Sequence, residues 1–133
     1  MKESLSLSVY CMISRIDFYL ETINSIINAK KNDQIKIYFS IKENMYQEIK
    51  DTLKEHENNI NVIRYEFKYK CVFDHMKNLV NHCTDDYIMI VHDDDIIGED
   101  FFINTYKNLI KYLPEALSSR STFINFLSFP VSL

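Results

Sequence analysis

The sequence predicts an α/β fold in which strands and helices alternate around a mainly parallel sheet. Two observations support this prediction. Short runs of β-branched and apolar residues alternate with longer segments whose apolar residues recur at helical spacing. The last of these runs, residues 87–91, is apolar throughout, as expected for a central parallel strand with both faces covered. Strands that alternate with helices imply right-handed crossovers and a Rossmann-like unit.

The first strand and helix lie at the start of the chain. Residues Leu5 to Ile13 are rich in β-branched and apolar side chains and predict a buried strand that ends at Ser14. Ser14 and Asp17 match a capping box, so we expect the first helix to begin here. The apolar residues of this helix recur at helical spacing and are Leu20, Ile23, Ile26 and Ile27.

The second pair repeats this pattern. A short strand over residues 35–41 precedes Asn44, a good N-cap residue for the second helix. The apolar residues that mark this helix are Tyr46, Ile49 and Leu53.

The third pair begins with a predicted strand over residues 61–67. Its alternating aromatic residues, Tyr65 and Phe67, continue to Tyr69 and indicate core packing. The third helix follows, and the side chains predicted on one of its faces are Phe73, Met76, Leu79, Val80 and Cys83.

The fourth strand, residues 87–91, runs directly into His92 and three consecutive aspartates. A fourth helix is predicted to start near Glu99 or Asp100 and to stop at Pro114. The side chains that this helix would bury are Phe102, Tyr106, Leu109, Ile110 and Leu113.

The chain is long enough for one domain with a core, but not comfortably for two. We expect this domain to span residues 1–114, followed by a tail of different composition over residues 115–133. The apolar part of the tail, residues 123–130, is compatible with a fifth strand, a partner surface or a terminus without a packing role.

Composition argues against several classes of function. The net charge of −4 gives no general attraction to nucleic acid. The single glycine, Gly98, excludes a Walker loop and a dinucleotide fingerprint, so a phosphorylated ligand must be met by a metal or by side chains. Three cysteines without a CxxC pair argue against a disulfide framework and for a reducing cytoplasm. We also expect no signal peptide and no membrane-spanning segment.

Asp93, Asp94 and Asp95 carry the main chemical signal. They follow the most hydrophobic strand, at the end of a parallel sheet where ligands bind. Three adjacent carboxylates repel one another, and a divalent cation would relieve this repulsion. In an extended chain Asp93 and Asp95 would point to one side and Asp94 to the other. Hard oxygen ligands suit Mg²⁺ or Mn²⁺, whereas the alternative is a solvated acidic loop.

Two weaker signals involve histidine and cysteine. His92 is a candidate ligand-orienting residue, with strand capping as the alternative. A zinc site is a minor alternative for a second set of residues, although a helix would point two adjacent members in different directions. This set consists of Cys71, His75, His82 and Cys83.

Together these features resemble glycosyltransferase family 2, whose members have the GT-A fold. The resemblance rests on the order of the elements and on the apolar strand that ends in an acidic cluster, followed by Ile96, Ile97, a turn and Phe101-Phe102. It covers residues 5–114, an incomplete GT-A unit. The resemblance implies a nucleotide-sugar donor, a divalent metal, and transfer of the sugar to a hydroxyl of a saccharide or lipid-linked acceptor.

The resemblance also implies roles for individual residues. The family's Asp-x-Asp signature falls on Asp93 and Asp95, or on His92 and Asp94 in a register one residue earlier. Mn²⁺ or Mg²⁺ is therefore implied at Asp93, Asp94 and Asp95, with Asp94 and Asp95 as first choices. The residues implied to bind the nucleotide sugar are Ser14, Arg15, Ser40, Lys77, Asn78 and Asp93. For Lys77 and Asn78, a solvated helix face is the alternative.

The chain departs from the family pattern in two respects. The family has an acidic pair after the second strand that recognises the nucleotide, whereas this chain has Ser40-Ile41-Lys42-Glu43, so the nucleotide stays open. The family's catalytic base and acceptor site lie in the second half of a longer domain, so no catalytic residue is assigned. If the chain is complete, we expect reduced or absent transferase activity.

Three functions are compatible with these features. The first is a metal-dependent glycosyltransferase, and the second is a truncated, inactive remnant that binds donor or metal. The third is a non-enzymatic α/β interaction module. We expect the protein in the cytoplasm, with peripheral association at the inner face of the membrane as an alternative, and no nucleic-acid partner.

Overall fold

The computed structural model describes residues 5–14, 19–66, 68–112 and 127–130. Arg15, Asp17, Phe67, Leu113 and Pro114 lie outside these ranges, and so do the predictions made for them. The elements in chain order are β1 (Leu7–Ile13), α1 (Tyr19–Ala29), β2 (Ile35–Lys42), α2 (Glu43–Lys54), β3 (Asn61–Tyr65), α3 (Val72–His82), β4 (Tyr87–His92), α4 (Phe101–Tyr112) and β5 (Leu127–Pro130).

The strands form one five-stranded sheet in the order β3-β2-β1-β4-β5. β1 pairs in parallel with β2 and β4, and β2 pairs in parallel with β3. This arrangement confirms the predicted α/β class with a mainly parallel sheet. β5 pairs antiparallel with β4, so the tail contributes a fifth strand. The boundary between residues 114 and 115 stays a prediction, because residues 113–126 lie outside the described ranges.

Helices cover both faces of the sheet, which explains the continuous apolar strands. Successive strand residues point to opposite faces. Val9 and Cys11 therefore pack in a cluster with α1, α2 and α4, whereas Tyr10 and Met12 pack with α3. The helix residues of the first cluster include Ile23, Ile26, Ile49, Leu53, Phe102 and Leu109, and those of the second include Leu79.

Ser6 and Asp86 join the amino ends of β1 and β4. The Ser6 amide and hydroxyl donate to Oδ2 of Asp86 at 2.9 and 3.2 Å, and the Asp86 amide donates to Ser6 Oγ at 3.0 Å. The register between the two strands pairs Met12 with His92 at the other end. The carboxyl ends of β1 and β4 therefore lie side by side, which places the residues that follow them in one region.

The start of α2 differs from the prediction. Asn44 was the expected N-cap, but the helix begins at Glu43 and Lys42 occupies the N-cap position without a side-chain cap. The physical reason is that β2 leads into α2 with no intervening loop residue, so the chain turns into the helix before Asn44 is reached. As a result, Lys42 stands at the carboxyl end of β2.

Three apolar side chains predicted on buried helix faces are largely exposed. Phe73 is 73% exposed, because α3 buries the face that contains His75 and Leu79 and Phe73 lies about 120° around the helix from Leu79. Leu20 is 46% exposed and Ile110 is 36% exposed. Periodicity alone thus predicted the helices correctly, but it assigned too many residues to their buried faces.

The two phenylalanines provide a matched test of this packing. Phe102→Ala should lower the free energy of unfolding by about 3–5 kcal/mol, because a fully buried ring leaves a cavity. Phe73→Ala should change it by less than about 0.5 kcal/mol, because its ring is mostly in solvent. Urea denaturation followed by circular dichroism measures both, and equal losses would contradict the arrangement of α3 and α4.

Candidate functional site

The sheet order places a ligand-binding crevice at the carboxyl ends of β1 and β4. From β1 the chain proceeds to β2 and β3 on one side, and then crosses to β4 on the other side. In open α/β sheets such a switch in direction leaves a gap beyond the strand ends where ligands bind. Ser14 follows β1 and Asp93 follows β4, so both stand at this gap.

Asp93 bridges the ends of these two strands. The Ser14 amide donates to Oδ2 of Asp93 at 2.9 Å, and the Ser14 hydroxyl donates to the same oxygen at 3.3 Å. Asp93 is 4% exposed. Two hydrogen bonds from Ser14 to this buried carboxylate hold its side chain in one orientation. Ser14 and Asp93, both implied donor-binding residues, are thus brought together.

Helix α1 fixes the acidic segment from the other side. The Thr22 hydroxyl donates to the carbonyl oxygen of Asp93 at 2.6 Å, and the Ile97 amide donates to the Ser25 hydroxyl at 3.1 Å. The Ser25 hydroxyl in turn donates to the Thr22 carbonyl at 2.9 Å. The segment from Asp93 to Ile97 is therefore anchored at both of its ends to one helix.

Asp94 and Asp95 occupy different environments within a tight turn. The Asp95 amide donates to the His92 carbonyl at 3.2 Å, and the Asp95 carboxylate accepts the His92 amide at 3.0 Å. Asp95 is 8% exposed, and burial raises its pKa despite the His92 amide, with smaller contributions from Asp94 and Asp93. Asp94 lies in solvent. Two of the three acids are therefore buried and hydrogen-bonded.

The carboxylates fit a divalent cation in chemistry but are not assembled as a complete cage. Among residues 5–14, 19–66, 68–112 and 127–130, no group of three or more His, Cys, Asp or Glu side chains is arranged to hold an ion. Mg²⁺ is commonly bound through one or two carboxylates together with water and substrate phosphates. The acidic turn suits this incomplete type of ligation, with Asp94 exposed to solvent and Asp95 and Asp93 beside it.

A cleft of about 330 Å³ adjoins the acidic turn. It extends across the carboxyl ends of β1 to β4 to the start of α3, and its wall is partly aromatic. Tyr69 stacks on His75 with ring centroids 4.3 Å apart, and Tyr65 meets His75 edge-on at 5.1 Å. The residues that line the cleft are Met12, Ser14, Lys42, Met45, Tyr65, Lys68, Tyr69, Cys71, Val72, His75 and His92.

His75 lines the cleft, and Ser40 holds its ring from beneath. Their side chains are hydrogen-bonded through Ser40 Oγ and His75 Nε2 at 2.7 Å, and Ser40 is fully buried. Burial, with a smaller contribution from the neighbouring His92, lowers the pKa of His75 to about 4. His75 is therefore neutral near pH 7. Ser40, an implied donor-binding residue, lies beneath the cleft lining, so its role in binding stays a prediction.

Lys77 and Asn78 lie exposed on α3 and do not line the cleft. Arg15 is outside the described residues. The donor-binding roles of these three residues stay predictions.

The zinc alternative is not supported by the positions of its four residues. Cys71 and His75 line the cleft. His82 lies near the other end of α3, where its Nδ1 atom is hydrogen-bonded to the Tyr10 hydroxyl at 2.8 Å, and Cys83 follows it at the C-cap. Because α3 separates the two pairs by its length, the described residues form no four-ligand site.

Sequence reasoning did not predict that several polar and aromatic residues line this cleft. Tyr65 and Tyr69 were assigned to core packing, and Tyr65 is indeed buried. His75 was considered only for zinc, Lys42 was noted only as a departure from a family pattern, and Lys68 was not considered. Each lies at the end of a strand, in the segment that follows it, or in the first turn of the next helix. The available signal was therefore position at the carboxyl edge of the sheet, and not residue type.

A larger groove of about 490 Å³ lies between α2 and β3, away from the strand ends. Its charged residues are of both signs, Lys50 and Lys54 against Asp51 and Glu57. Because this groove has no polar group positioned by the switch in strand order, we place the functional site at the cleft.

Comparisons with known proteins identify the fold. No protein-family model and no curated protein sequence matches this chain. Solved glycosyltransferases match its structure. They include the mannosyltransferase PcManGT from Pyrobaculum calidifontis in complex with GDP-Man and Mn²⁺ (TM-score 0.78, 11% identity, 96% of this chain and 45% of that one). They also include residues 1–349 of S. aureus TarS in complex with UDP-GlcNAc (0.71, 12%, 89% and 37%) and GalNAc-T7 with UDP, GalNAc and Mn²⁺ (0.67, 12%, 84% and 22%).

These matches show that the chain has the fold of GT-A glycosyltransferases. The identities are too low to transfer an activity. The chain also spans less than half the length of each of these structures.

The neutral state of His75 predicts a pH dependence of stability. The pKa of His75 is about 4 in the folded protein, whereas the ordinary value of 6.5 applies in the unfolded chain. Between these two pH values the unfolded chain therefore binds more protons than the folded protein. The free energy of unfolding should therefore fall as the pH falls from 6.5 to 4, by at most about 3 kcal/mol. Urea denaturation at several pH values measures this slope.

The slope should become smaller in His75→Gln, which removes the titrating ring, and should persist in the matched variant His56→Gln in the loop after α2. A His75→Gln variant with the full wild-type slope would contradict the assignment.

Proposed function

We propose that this chain binds a nucleotide-sugar donor at the carboxyl ends of β1 to β4 and forms the donor-binding part of a glycosyltransferase similar to family 2. The bridge between Ser14 and Asp93 is the observation that carries this proposal. It holds the acidic turn at the switch in strand order, directly beside an aromatic-walled cleft. A site for a nucleotide sugar needs a pocket for the nucleoside and groups that neutralise the negative charge of the diphosphate.

The solved structures with this fold support the proposal. PcManGT is described in complex with GDP-Man and Mn²⁺, and TarS in complex with UDP and with UDP-GlcNAc. The same fold therefore binds both uridine and guanosine nucleotide sugars, in line with the open nucleotide identity of this chain.

In this proposal Mn²⁺ or Mg²⁺ is held by Asp94 and Asp95, with Asp93 as the bridge that fixes the turn. The ion would neutralise the charge that develops on the departing nucleoside diphosphate. Asp94 is exposed and so accessible to a ligand, while the His92 amide and Thr22 hydroxyl keep the turn in place. The acceptor is a saccharide or lipid-linked saccharide hydroxyl, and the residue that deprotonates it is not assigned.

The burial of the acids favours this proposal over an interaction module. A solvated acidic loop would leave its carboxylates in water, whereas Asp93 and Asp95 are 4% and 8% exposed. Burying two neighbouring carboxylates beside a third is costly. We interpret this cost as the consequence of a site that positions charge. An inactive donor-binding protein shares this geometry, and measurements of turnover distinguish it from an active transferase.

The cellular location is part of the same proposal. Within the described ranges, no helix combines the length and apolar character needed to span a bilayer. We propose that the protein acts in the cytoplasm, with peripheral contact to the inner face of the membrane where its acceptor is lipid-linked.

Isothermal titration calorimetry with UDP, GDP, UDP-GlcNAc and GDP-Man, with and without Mn²⁺, tests donor binding. We expect at least one of these ligands to bind and Mn²⁺ to strengthen its binding. Asp94→Asn should reduce the gain in nucleotide affinity that Mn²⁺ provides by at least about tenfold. Even substitutions that disturb a metal site indirectly have effects of this size.

Asp51→Asn, an exposed acid on α2, is the matched control and should behave as the wild type. If no nucleotide binds under any condition, the proposed function is wrong. If Mn²⁺ strengthens binding equally in wild type and Asp94→Asn, the donor site stands but the metal assignment is wrong.

A further inference from the structure

The cleft carries positive charge that the proposed metal site does not use. Lys42 at the end of β2 and Lys68 after β3 both line it. Among the described residues that line the cleft, there is no Asp or Glu. The carboxylates after β4 and the ammonium groups after β2 and β3 therefore occupy opposite sides of the same edge of the sheet.

Glu43, which follows Lys42 in sequence, already interacts with other side chains. Glu43 accepts the Arg64 Nε at 2.8 Å, makes a second ion pair with the same guanidinium, and accepts the Gln47 side-chain amide at 3.0 Å. The Arg64 guanidinium lies 4.0 Å from the centre of the Tyr46 ring. Glu43 is thus paired with Arg64, does not line the cleft, and forms no ion pair with Lys42.

The two lysines of the cleft have no acidic partner among the described residues, in contrast to Lys31 and Lys36. Lys31 pairs with Glu99 and Asp100, and Lys36 pairs with Asp85 at 3.0 Å. Within residues 5–14, 19–66, 68–112 and 127–130, Lys42 and Lys68 form no ion pair. Two ammonium groups at a concave aromatic surface attract an anion, because each offers three donors and a full charge.

We propose that Lys42 and Lys68 bind the phosphates of the donor nucleotide, so that nucleotide binding persists without a divalent ion. This inference rests on the proposed function, and it assigns the phosphate contacts to side chains that the resemblance does not imply. A glycine-rich phosphate loop is excluded at the cleft because the one glycine, Gly98, follows β4 and does not line the cleft.

The rest of the cleft fits the remaining part of a nucleotide. The Tyr69 and His75 rings are stacked nearly parallel, with an angle of 12° between their planes. His75 is neutral and adds no charge to the cleft, and its ring is held by Ser40. A volume of about 330 Å³ lies in the range of small-ligand pockets. The nucleoside would contact this wall while its phosphates meet the lysines.

The test compares two double variants that remove the same charge. Lys42→Met with Lys68→Met preserves side-chain length and removes both ammonium groups from the cleft. Lys50→Met with Lys54→Met removes two ammonium groups from the separate groove between α2 and β3. Calorimetry is performed with UDP, GDP, inorganic pyrophosphate and the nucleosides uridine and guanosine, in EDTA and again in Mn²⁺. Thermal unfolding checks that each variant is folded.

We expect the wild type to bind UDP or GDP in EDTA, and the cleft variant to bind it at least about tenfold more weakly, since charge-assisted hydrogen bonds contribute at this scale. The groove variant should bind UDP or GDP as the wild type does. The double variant Lys42→Arg with Lys68→Arg keeps both positive charges and should also bind as the wild type does. Affinity for the nucleosides should be the same in all variants.

Two results would overturn the inference while leaving the proposed function intact. One is nucleotide binding that occurs only with Mn²⁺, and the other is equal nucleotide affinity of the cleft and groove variants. Absence of nucleotide binding in every condition would overturn both. Tight binding of pyrophosphate to the wild type, with no gain from the nucleoside, would show an anion site without nucleotide recognition and would also overturn it.

Discussion

The hydrogen bonds from Ser14 to Asp93 join the carboxyl ends of β1 and β4, the strands between which the sheet changes direction. Without this bridge a buried carboxylate beyond the strand ends would lose two hydrogen bonds, which is costly. With it, Asp93 is satisfied and the turn that follows has a fixed position. The Thr22 hydroxyl donates from α1 to the backbone carbonyl of Asp93, so one residue links three elements through its side chain and its backbone. The placement of Asp94, Asp95 and the neighbouring cleft depends on this link.

The charges around this link are separated in a way that suits a diphosphate ligand. Carboxylates follow β4, ammonium groups follow β2 and β3, and the neutral His75 lies among the residues that line the cleft. Like charges gathered at one end of a sheet repel one another, so the arrangement costs stability in the free protein. A diphosphate would bring negative charge to the lysines, and a cation bound with it would neutralise the acids. Repulsion among the lysines and repulsion among the acids would then both decrease. This relief is the physical basis for the proposed donor site.

The sequence was sufficient to predict the fold, because strand and helix periodicities differ and the fourth strand is apolar on both faces. It also predicted the acidic turn, since Asp93 to Asp95 directly follow that strand. It did not predict which helix faces are buried: Phe73 has the right type and spacing, but α3 lies over the sheet with His75 and Leu79 inward. The cleft was missed for a similar reason. Its lining residues include Ser14, Lys42, Tyr65 and His92, which are far apart in the chain, and only the strand order brings them together.

The central claim is that the carboxyl edge of the sheet, and not the groove beside α2, binds a nucleotide. Nuclear magnetic resonance of ¹⁵N-labelled protein during titration with UDP and GDP tests it most directly, because each backbone amide reports separately. The account predicts the largest shifts at Ser14, Lys42, Tyr65 and His92, with little change at Lys50 and Lys54. Shifts confined to the groove residues, or no shifts at millimolar nucleotide, would contradict it.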